Sequence, residues 1–199
     1  MNSNHKISVL VSGGGTNLQA LIDSISCGSL KGVEIALVIS SREGAFALER
    51  AKRAGIKTAV VAGGLSVSEA ALAEELVKNL EEAGTELIVL AGYMRILHPL
   101  IIKKYPRRII NIHPSLIPRH CGKGFYGSKV HEAVIRAGDR VSGATVHFVD
   151  EGVDTGEIIL QREVPVESGE SPKTLAAKVL AAEHEILPEA VRMIFECKI

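Results

Sequence analysis

The chain has 199 residues, in which 23 Lys and Arg residues are balanced by 23 Asp and Glu residues. A formal charge of zero gives no global field that would draw the protein to nucleic acid or to an anionic membrane. Three cysteines without C-x-x-C spacing (Cys27, Cys121 and Cys197) argue against a zinc site and indicate reduced thiols in a cytosol.

Short β-branched runs alternate with amphipathic segments in the first part of the chain. The patterns predict strands at residues 6–11, 33–40, 58–61, 87–90 and 108–112. Helices are predicted between them at residues 17–26, 45–54, 66–83 and 99–104. The helix at 66–83 carries Leu72, Leu76 and Leu80 at a spacing of four, which is typical of a core stripe. This order predicts a parallel sheet with helices on both faces.

The pattern changes in the last third of the chain. A helix is predicted at residues 129–137, followed by two extended runs at 142–149 and 157–164 that the segment DEGVDTG separates. We expect these runs to add antiparallel strands to the sheet. A final helix at 174–197 contains Pro188, which should bend or split it. The predicted fold class is α/β, a single Rossmann-like domain over residues 1–199 with a mostly parallel sheet flanked by helices.

A possible catalytic group lies in the segments NIHPS and HFVDEGVDTG. Asn111 and His113 are two residues apart at the end of a predicted strand, so their side chains should leave the same face. An amide and a protonated imidazole can both donate to a developing oxyanion. A carboxylate from Asp154 within about 4–6 Å would favour the imidazolium and keep His113 charged near neutral pH. Alternatively, Asn111 caps a turn, His113 is a core residue and Asp154 belongs to a D-x-G turn.

The first strand ends in SGGGTNL, directly before a helix. Consecutive glycines and a helix amino terminus can present several N–H groups to one anion. Leu18 stands where the dinucleotide fingerprint needs its third glycine, and the Lys of a P-loop is missing. The loop therefore favours a phosphate monoester on a small molecule over NAD or ATP. A tight turn with Thr16 or Asn17 as helix cap is the alternative.

Two further segments follow the predicted strands. Residues 122–127, GKGFYG, match G-x-G-x-x-G, but they follow a proline-containing loop and not a strand, so they are interpreted as a mobile loop near the site. Residues 92–97, GYMRIL, could form an apolar slot for a flat heterocycle. Burial in the core is the alternative for their apolar side chains.

The segments SGGGTNLQALI, LAGYMRILHP, NIHPSLIP, GATVHFVDEGVDTGEIILQ and AAEHEILP together resemble the folate-dependent formyltransferase family. Within it, the glycine loop and the AEH segment are similar to phosphoribosylglycinamide formyltransferases. The resemblance covers nearly the whole chain and implies transfer of a formyl group from 10-formyltetrahydrofolate, as co-substrate and without a metal, to the amine of phosphoribosylglycinamide in purine biosynthesis. It also implies an N-terminal phosphate-binding half, about 1–100, and a C-terminal catalytic and folate half, about 101–199.

Site residues carried over from the resemblance fall into three groups. The catalytic group would be Asn111, His113 and Asp154. The ribonucleotide would be bound by Gly15, Thr16, Asn17 and Glu183, unless Glu183 is an ordinary surface residue of its helix. The folate would be bound by Met94, Arg95, Ile96, Leu97, Asp150, Glu151, Gly152, Val153 and Asp154. Relatives often carry an Arg near the third helix, which the segment GGLSVSEAALAEEL lacks, and a polar residue where this chain has Leu180, so the contacts of the folate tail and of the ribonucleotide stay open.

Three other functions compete with this one. A methionyl-tRNA formyltransferase shares the chemistry but resembles longer chains with a basic domain, which the neutral charge disfavours. A 10-formyltetrahydrofolate hydrolase would carry an added regulatory domain. A non-catalytic binding module requires the three polar side chains to converge by accident. We expect a cytoplasmic enzyme, monomer or homodimer, whose partners are small molecules and neither nucleic acid nor membrane.

Overall fold

The computed structural model describes residues 4–64 and 67–196. This part of the chain forms seven strands and six helices, which alternate up to β6. The strands are β1 (His5–Val11), β2 (Val33–Ser40), β3 (Thr58–Val60), β4 (Leu87–Leu90), β5 (Ile109–His113), β6 (Val141–Phe148) and β7 (Ile158–Pro165). The helices are α1 (Thr16–Ser26), α2 (Phe46–Arg53), α3 (Glu69–Glu82), α4 (Pro99–Lys104), α5 (Ser128–Ala137) and α6 (Pro172–Phe195).

The strands form one sheet in the order β3-β2-β1-β4-β5-β6-β7. β1 pairs in parallel with β2 on one side and with β4 on the other, and β2 pairs in parallel with β3. β6 and β7 pair antiparallel. The predicted α/β fold class, with antiparallel strands added toward the C-terminus, is therefore confirmed. Parallel neighbours place their carboxyl ends at the same edge, so the loops after β1 and β4 lie side by side.

The chain forms two compact units, the first ending at Ile110 and the second beginning at Asn111. In the first unit, β1 and β4 are buried along nearly their whole length, as expected for parallel strands covered on both faces. The leucine stripe of α3 is buried, with Leu80 fully inaccessible to solvent, which confirms its predicted core role. The side-chain hydroxyls of Ser8 and Thr85 lie 2.7 Å apart and satisfy each other inside this core.

In the second unit, α6 packs against β6 and β7. Pro188 lies inside α6 and is buried, yet the helix continues without a break from Pro172 to Phe195, so the prediction that it could split there is wrong. The proline removes one helical hydrogen bond. Burial of its neighbours Ile186, Leu187 and Val191, each fully inaccessible, holds both halves of the helix in place.

The observed helix starts differ from the predicted ones because capping residues set them. Ser68 accepts a hydrogen bond from the N–H of Ala71, so α3 begins at Glu69, while the predicted start at Ser66 lies outside the described residues. Ser171 and Thr174 form a capping box, with a proline in the first turn, so α6 begins at Pro172. The predicted end of this helix at Cys197 also lies outside the described residues.

None of the helices in residues 4–64 and 67–196 has both the length and the apolarity needed to cross a bilayer.

Gly143 on β6 provides a test of the β6–β7 packing. A Cβ at this position would lie 2.1 Å from the carbonyl oxygen of Arg162 on β7 and 2.7 Å from Leu116 Cδ2. We expect Gly143→Ala to lower the free energy of unfolding by about 1–3 kcal/mol because the strands must separate. Denaturant titration measures this. Gly13→Ala, where a Cβ meets no atom within 4 Å, is the control, and equal losses for the two variants would contradict the packing.

Candidate active site

Asn111 and His113 lie on β5 and point from the same face of the strand. The alternate residues Ile110 and Ile112 are buried in the core, which fixes the register of the two polar side chains. His113 is itself only 4% exposed. Strand alternation therefore places an amide and an imidazole together without any special loop.

Asp154 reaches the same place from the loop after β6. Its Oδ2 lies 3.5 Å from His113 Nδ1 and accepts a hydrogen bond from the N–H of Gly122 at 2.9 Å. Asp154 has a φ of 58°, in the left-handed region that Asp tolerates better than most residues. The structure thus brings Asp154 directly to His113.

A second histidine, His147 on β6, lies close to both Asn111 and Asp154. Its Nδ1–H donates to the carbonyl of Phe148 at 2.8 Å, so Nε2 is free to accept from Asn111 Nδ2 at 3.1 Å. Nε2 also lies 3.7 Å from Asp154 Oδ1, too far for a hydrogen bond. Sequence reasoning assigned no role to His147. The available signal was a lone polar ring in the apolar run ATVHFV, two residues from Thr145 on the same strand face.

The protonation of His113 differs from the prediction. Burial lowers the pKa of His113 below its ordinary value of 6.5, because the charged ring would lose its hydration. The charge of Asp154 and the carbonyl of His120 act in the opposite direction without outweighing burial, and His147 lowers the pKa further. The prediction that Asp154 keeps His113 charged near neutral pH is therefore wrong for this structure. The neutral ring is favoured.

The carboxyl group of Asp154 stays ionised. Burial raises the pKa of Asp154, but the interaction with His147, the charge of His113 and the N–H of Gly122 outweigh it and bring the pKa below its ordinary value. The Nε2–H of His113 donates to the carbonyl of His120 at 3.1 Å, which leaves Nδ1 as the nitrogen that faces the carboxylate. Nδ1 can accept a proton there, and the resulting cation would have an anionic neighbour.

The turn after β5 is anchored by the hydroxyl of Thr145 on β6. This hydroxyl donates to the carbonyl of Ser115 at 2.6 Å and accepts from the N–H of Ile117 at 3.2 Å. Gln161 on β7 donates to the same hydroxyl at 2.9 Å and to the carbonyl of Ile117 at 3.0 Å. A buried hydroxyl with one donor and two acceptor sites used is fully satisfied, so the turn has a fixed position on the sheet.

The glycine loop lies in the first unit, between β1 and α1. The N–H of Ala47 donates to the carbonyl of Gly13, and Arg50 Nε donates to the carbonyl of Gly14 at 2.8 Å. Because C=O and N–H point in opposite directions in a trans peptide, the N–H groups of Gly14 and Gly15 face away from α2. They lie beside the start of α1, as anion binding requires.

Gly15 occupies the N-cap position of α1, with a φ of 73°. The alternative in which Thr16 or Asn17 caps the helix is therefore wrong, since both lie inside it. A Cβ on Gly15 would lie 2.6 Å from Ala47 Cβ, so both backbone conformation and close packing require glycine here.

The segment after β4 exposes part of its apolar surface. Met94 and Ile96 are 56% and 71% exposed, so core burial does not explain them, whereas Leu97 is buried. The N–H of Met94 donates to Ser12 Oγ at 2.9 Å, which fixes this segment beside the end of β1. Arg95 forms an ion pair with Glu69 at the start of α3.

Residues 150–153 form a tight turn before Asp154. Asp150 Oδ1 accepts from the N–H of Gly152 at 3.0 Å and from Thr155 Oγ1 at 2.6 Å. A Cβ on Gly152 would lie 2.0 Å from Thr155 Oγ1. Glu151 and Val153 are exposed on this turn. The turn sets the direction in which the side chain of Asp154 points.

Two other predicted features can be placed. Glu183 is buried in α6 at 8% exposure, so the alternative of an ordinary surface residue is wrong. The loop at 122–127 begins at the site, since Gly122 binds Asp154, while its mobility stays a prediction. In the part of the chain that the structure describes, no three His, Cys, Asp or Glu side chains are grouped so that they could hold a metal ion.

Comparison with known proteins identifies the family. The formyl transferase family model matches residues 5–191. The chain belongs to the formyl transferase family. The resemblance noted in the sequence is thereby confirmed, over most of the chain.

Solved formyl transferases share the fold. Glycinamide ribonucleotide transformylase 1 from Symbiobacterium toebii is 41% identical, with a TM-score of 0.91 over 98% of this chain and 89% of that one. Phosphoribosylglycinamide formyltransferase from Bacillus halodurans is 37% identical, with a TM-score of 0.89 over 98% of this chain and 97% of that one.

The chain spans only part of the curated relatives it matches. It is 44% identical to the trifunctional purine biosynthetic protein adenosine-3 of Bos taurus over 95% of its own length but 18% of that protein. It is 39% identical to the chloroplastic phosphoribosylglycinamide formyltransferase of Arabidopsis thaliana over 98% of its own length and 66% of that protein.

The pKa of His113 predicts how stability depends on pH. Burial lowers the pKa of both His113 and His131, the latter also through the charge of His113. In the unfolded chain both return to about 6.5, so acidification below that value protonates the unfolded state first and lowers stability. The contribution of Asp154 is lost only at lower pH, because its folded pKa lies below its ordinary value.

We therefore expect the free energy of unfolding to fall between about pH 7 and pH 5, with a slope of at most about 1.4 kcal/mol per pH unit for each histidine. Urea titration at several pH values measures the slope. His131→Asn should reduce the slope while leaving the contribution of His113. A slope unchanged in this variant would contradict the assignment.

Proposed function

We propose that this formyl transferase moves the formyl group of 10-formyltetrahydrofolate to the glycinamide amine of 5-phosphoribosylglycinamide, a step of de novo purine biosynthesis. The observation that carries the proposal is the carboxylate of Asp154, which lies 3.5 Å from the buried ring of His113, on the strand that also presents Asn111. An amide donor beside a proton acceptor suits acyl transfer between two bound molecules. The names and 37–44% identities of the relatives support the same substrates.

Asn111 would stabilise the oxygen of the formyl group as the amine adds to its carbon. One N–H of the amide is donated to His147, so the second remains for the developing oxyanion. The contact with His147 holds the amide plane still, and a donor fixed before reaction costs no reorganisation during it.

His113 would carry the proton. It begins neutral, because burial lowers its pKa, and Nδ1 accepts a proton from the attacking nitrogen. The imidazolium then lies beside the Asp154 carboxylate, which stabilises it until the proton passes, directly or through water, to N10 as the bond between the formyl carbon and N10 breaks. The proton count balances, since the amine loses one proton and N10 gains one.

The ribonucleotide phosphate would bind at the glycine loop, where two N–H groups and the positive end of α1 meet one anion. The ribonucleotide residues are Gly15, Thr16, Asn17 and Glu183. The buried carboxylate of Glu183 would meet the polar part of the ribonucleotide.

The folate ring would lie against the exposed apolar side chains and the backbone after β4. The folate residues are Met94, Arg95, Ile96, Leu97, Asp150, Glu151, Gly152, Val153 and Asp154. Arg95 already has Glu69 as an anionic partner, so a folate carboxylate would compete with Glu69 for it. A cytoplasmic location and a monomeric or homodimeric state stay predictions.

A direct assay tests the reaction. Purified protein is mixed with 10-formyltetrahydrofolate, with and without the ribonucleotide, and release of tetrahydrofolate is followed together with formylation of the ribonucleotide. We expect release only when the ribonucleotide is present. Release of formate without it would instead identify a hydrolase, and binding without either product would identify a non-catalytic module.

Substitution of Asn111 tests the oxyanion donor. We expect Asn111→Ala to lower kcat by about 100- to 1,000-fold, because one fixed hydrogen bond to the transition state is lost. Steady-state kinetics with both substrates measure the effect. Glu163→Gln, which removes an exposed charge on β7, is the control and should keep full activity. A kcat within twofold of the wild type in Asn111→Ala would exclude the assigned role.

Substitution of Gly15 tests the phosphate-binding role of the glycine loop. Gly15→Ala places a Cβ against Ala47 and disturbs the N–H groups, so we expect the KM for the ribonucleotide to rise by at least about tenfold with little change in the KM for the folate. Gly28→Ala is the matched control, because Gly28 also has a positive φ of 78° but its Cβ would meet only Lys31 Cε at 3.9 Å. A parallel rise of both KM values would indicate general damage and contradict the assignment.

A further inference from the structure

Beyond the catalytic group, the second unit contains a buried carboxylate to which the function above gives no role. Asp139 follows Gly138 at the C-terminal end of α5, and its side chain is 9% exposed. Its Oδ2 accepts from His120 Nε2 at 2.6 Å, and its Oδ1 accepts from Arg119 Nη2 at 2.8 Å. Both partners belong to the turn that follows β5.

That turn touches both members of the His113–Asp154 pair through its backbone. The carbonyl of His120 accepts from His113 Nε2 at 3.1 Å, and the N–H of Gly122 donates to Asp154 Oδ2 at 2.9 Å. The orientation of the imidazole therefore depends on where a main-chain carbonyl lies. A ring nitrogen fixed in this way carries the proton, and the other nitrogen keeps its lone pair for chemistry.

The backbone at His120 does not hold this position by its own preference. Its φ is 50°, in the left-handed region that costs free energy for a residue with a Cβ. Such a conformation persists only where surrounding contacts determine it. The side chain of His120 supplies one contact through Asp139, and Ser115 Oγ supplies another by donating to the carbonyl of Arg119 at 2.6 Å.

Asp139 is well placed to fix this turn because its own backbone is fixed. Gly138 caps α5 with a φ of 69°, and the N–H of Asp139 donates to the carbonyl of Val134, a buried residue of the helix. The carboxylate thus projects from a rigid helix end and accepts hydrogen bonds from the side chains of Arg119 and His120 in the turn.

We propose that Asp139 is a positioning residue, which holds the Arg119 and His120 side chains and thereby fixes the main-chain carbonyl that orients the catalytic imidazole of His113. This inference rests on the proposed function of His113. It assigns Asp139 no contact with substrate. The His120 carbonyl also opposes, after Asp154, the dominant effect of burial on the pKa of His113, so loss of the carbonyl would disfavour the imidazolium further.

Two variants break the contact from opposite sides. Asp139→Asn keeps the shape of the side chain and removes its charge, while His120→Phe keeps a ring near Phe125, whose centroid is 6.1 Å away, and removes the donor. Each should lower kcat by about 10- to 100-fold with KM values within about twofold, because His113 is misplaced but the substrates still bind. The double variant should be no worse than the more impaired single one, since both remove the same contact.

Glu170→Gln is the matched control. Glu170 is likewise a carboxylate of the second unit with little exposure, and Lys178 Nζ lies 2.9 Å away, but Glu170 directly precedes Ser171, the N-cap of α6. We expect wild-type kcat in this variant. A similar loss of kcat in Glu170→Gln would show that any lost ion pair in this unit has the same effect, and would overturn the proposal.

Nitrogen-15 NMR of the histidine rings in the substrate-free protein separates positioning from a merely structural role. We expect His113 to carry its proton on Nε2 in the wild type and to sample both tautomers in Asp139→Asn and in His120→Phe. Lower thermal stability with unchanged kcat and an unchanged tautomer would overturn the proposal. If the wild type fails to transfer formyl groups, the proposed function fails, while the tautomer still decides whether Asp139 positions the ring.

Discussion

The balance between burial and charge at His113 is the constraint on which the candidate site depends. A ring buried this deeply favours its neutral form, while a carboxylate 3.5 Å away favours the cation. Burial is the larger of the two effects, so the ring is neutral while its Nδ1 faces the carboxylate. In the proposed reaction, the neutral ring can therefore accept a proton and the carboxylate stabilises the resulting cation, as a residue that accepts and returns a proton in one turnover requires.

The rest of the second unit keeps this balance in place through strand and turn contacts. β5 supplies two polar residues on one face, and β6 supplies His147, which contacts Asn111. Thr145, also on β6, is hydrogen-bonded to the turn that follows β5. Few of these contacts require a long flexible side chain. Hydrogen bonds between short side chains and the backbone restrict movement of the site, and acyl transfer depends on well-fixed positions.

Much of the fold follows from sequence pattern, because parallel strands buried on both faces appear as continuous apolar runs. The bounds of β2, β4 and α4 were predicted to the residue. The predicted starts of α3 and α6 differ from the observed ones because side-chain capping by Ser68 and Ser171 decides them. The spacing of apolar residues, from which the helices were predicted, does not show which residue caps a helix.

The site was less predictable than the fold. The segments that hold Asn111, His113 and Asp154 were visible, since polar residues at strand ends are conspicuous. The charge of His113 was not, because it depends on how much water the folded chain removes from the ring. His147 was missed for a related reason: only pairing across strands shows that its Nε2 lies against Asn111.

The hydroxyl of Ser12 links the two segments of the first unit to which ligands are proposed to bind. This hydroxyl lies 2.6 Å from that of Ser41, after β2, and accepts from the N–H of Met94, after β4. One oxygen atom thus joins the start of the glycine loop to the exposed segment around Met94. A shift of either segment would stretch this hydrogen bond, so under the proposed function a ribonucleotide bound at one segment would restrict the motion of the other, where the folate would bind.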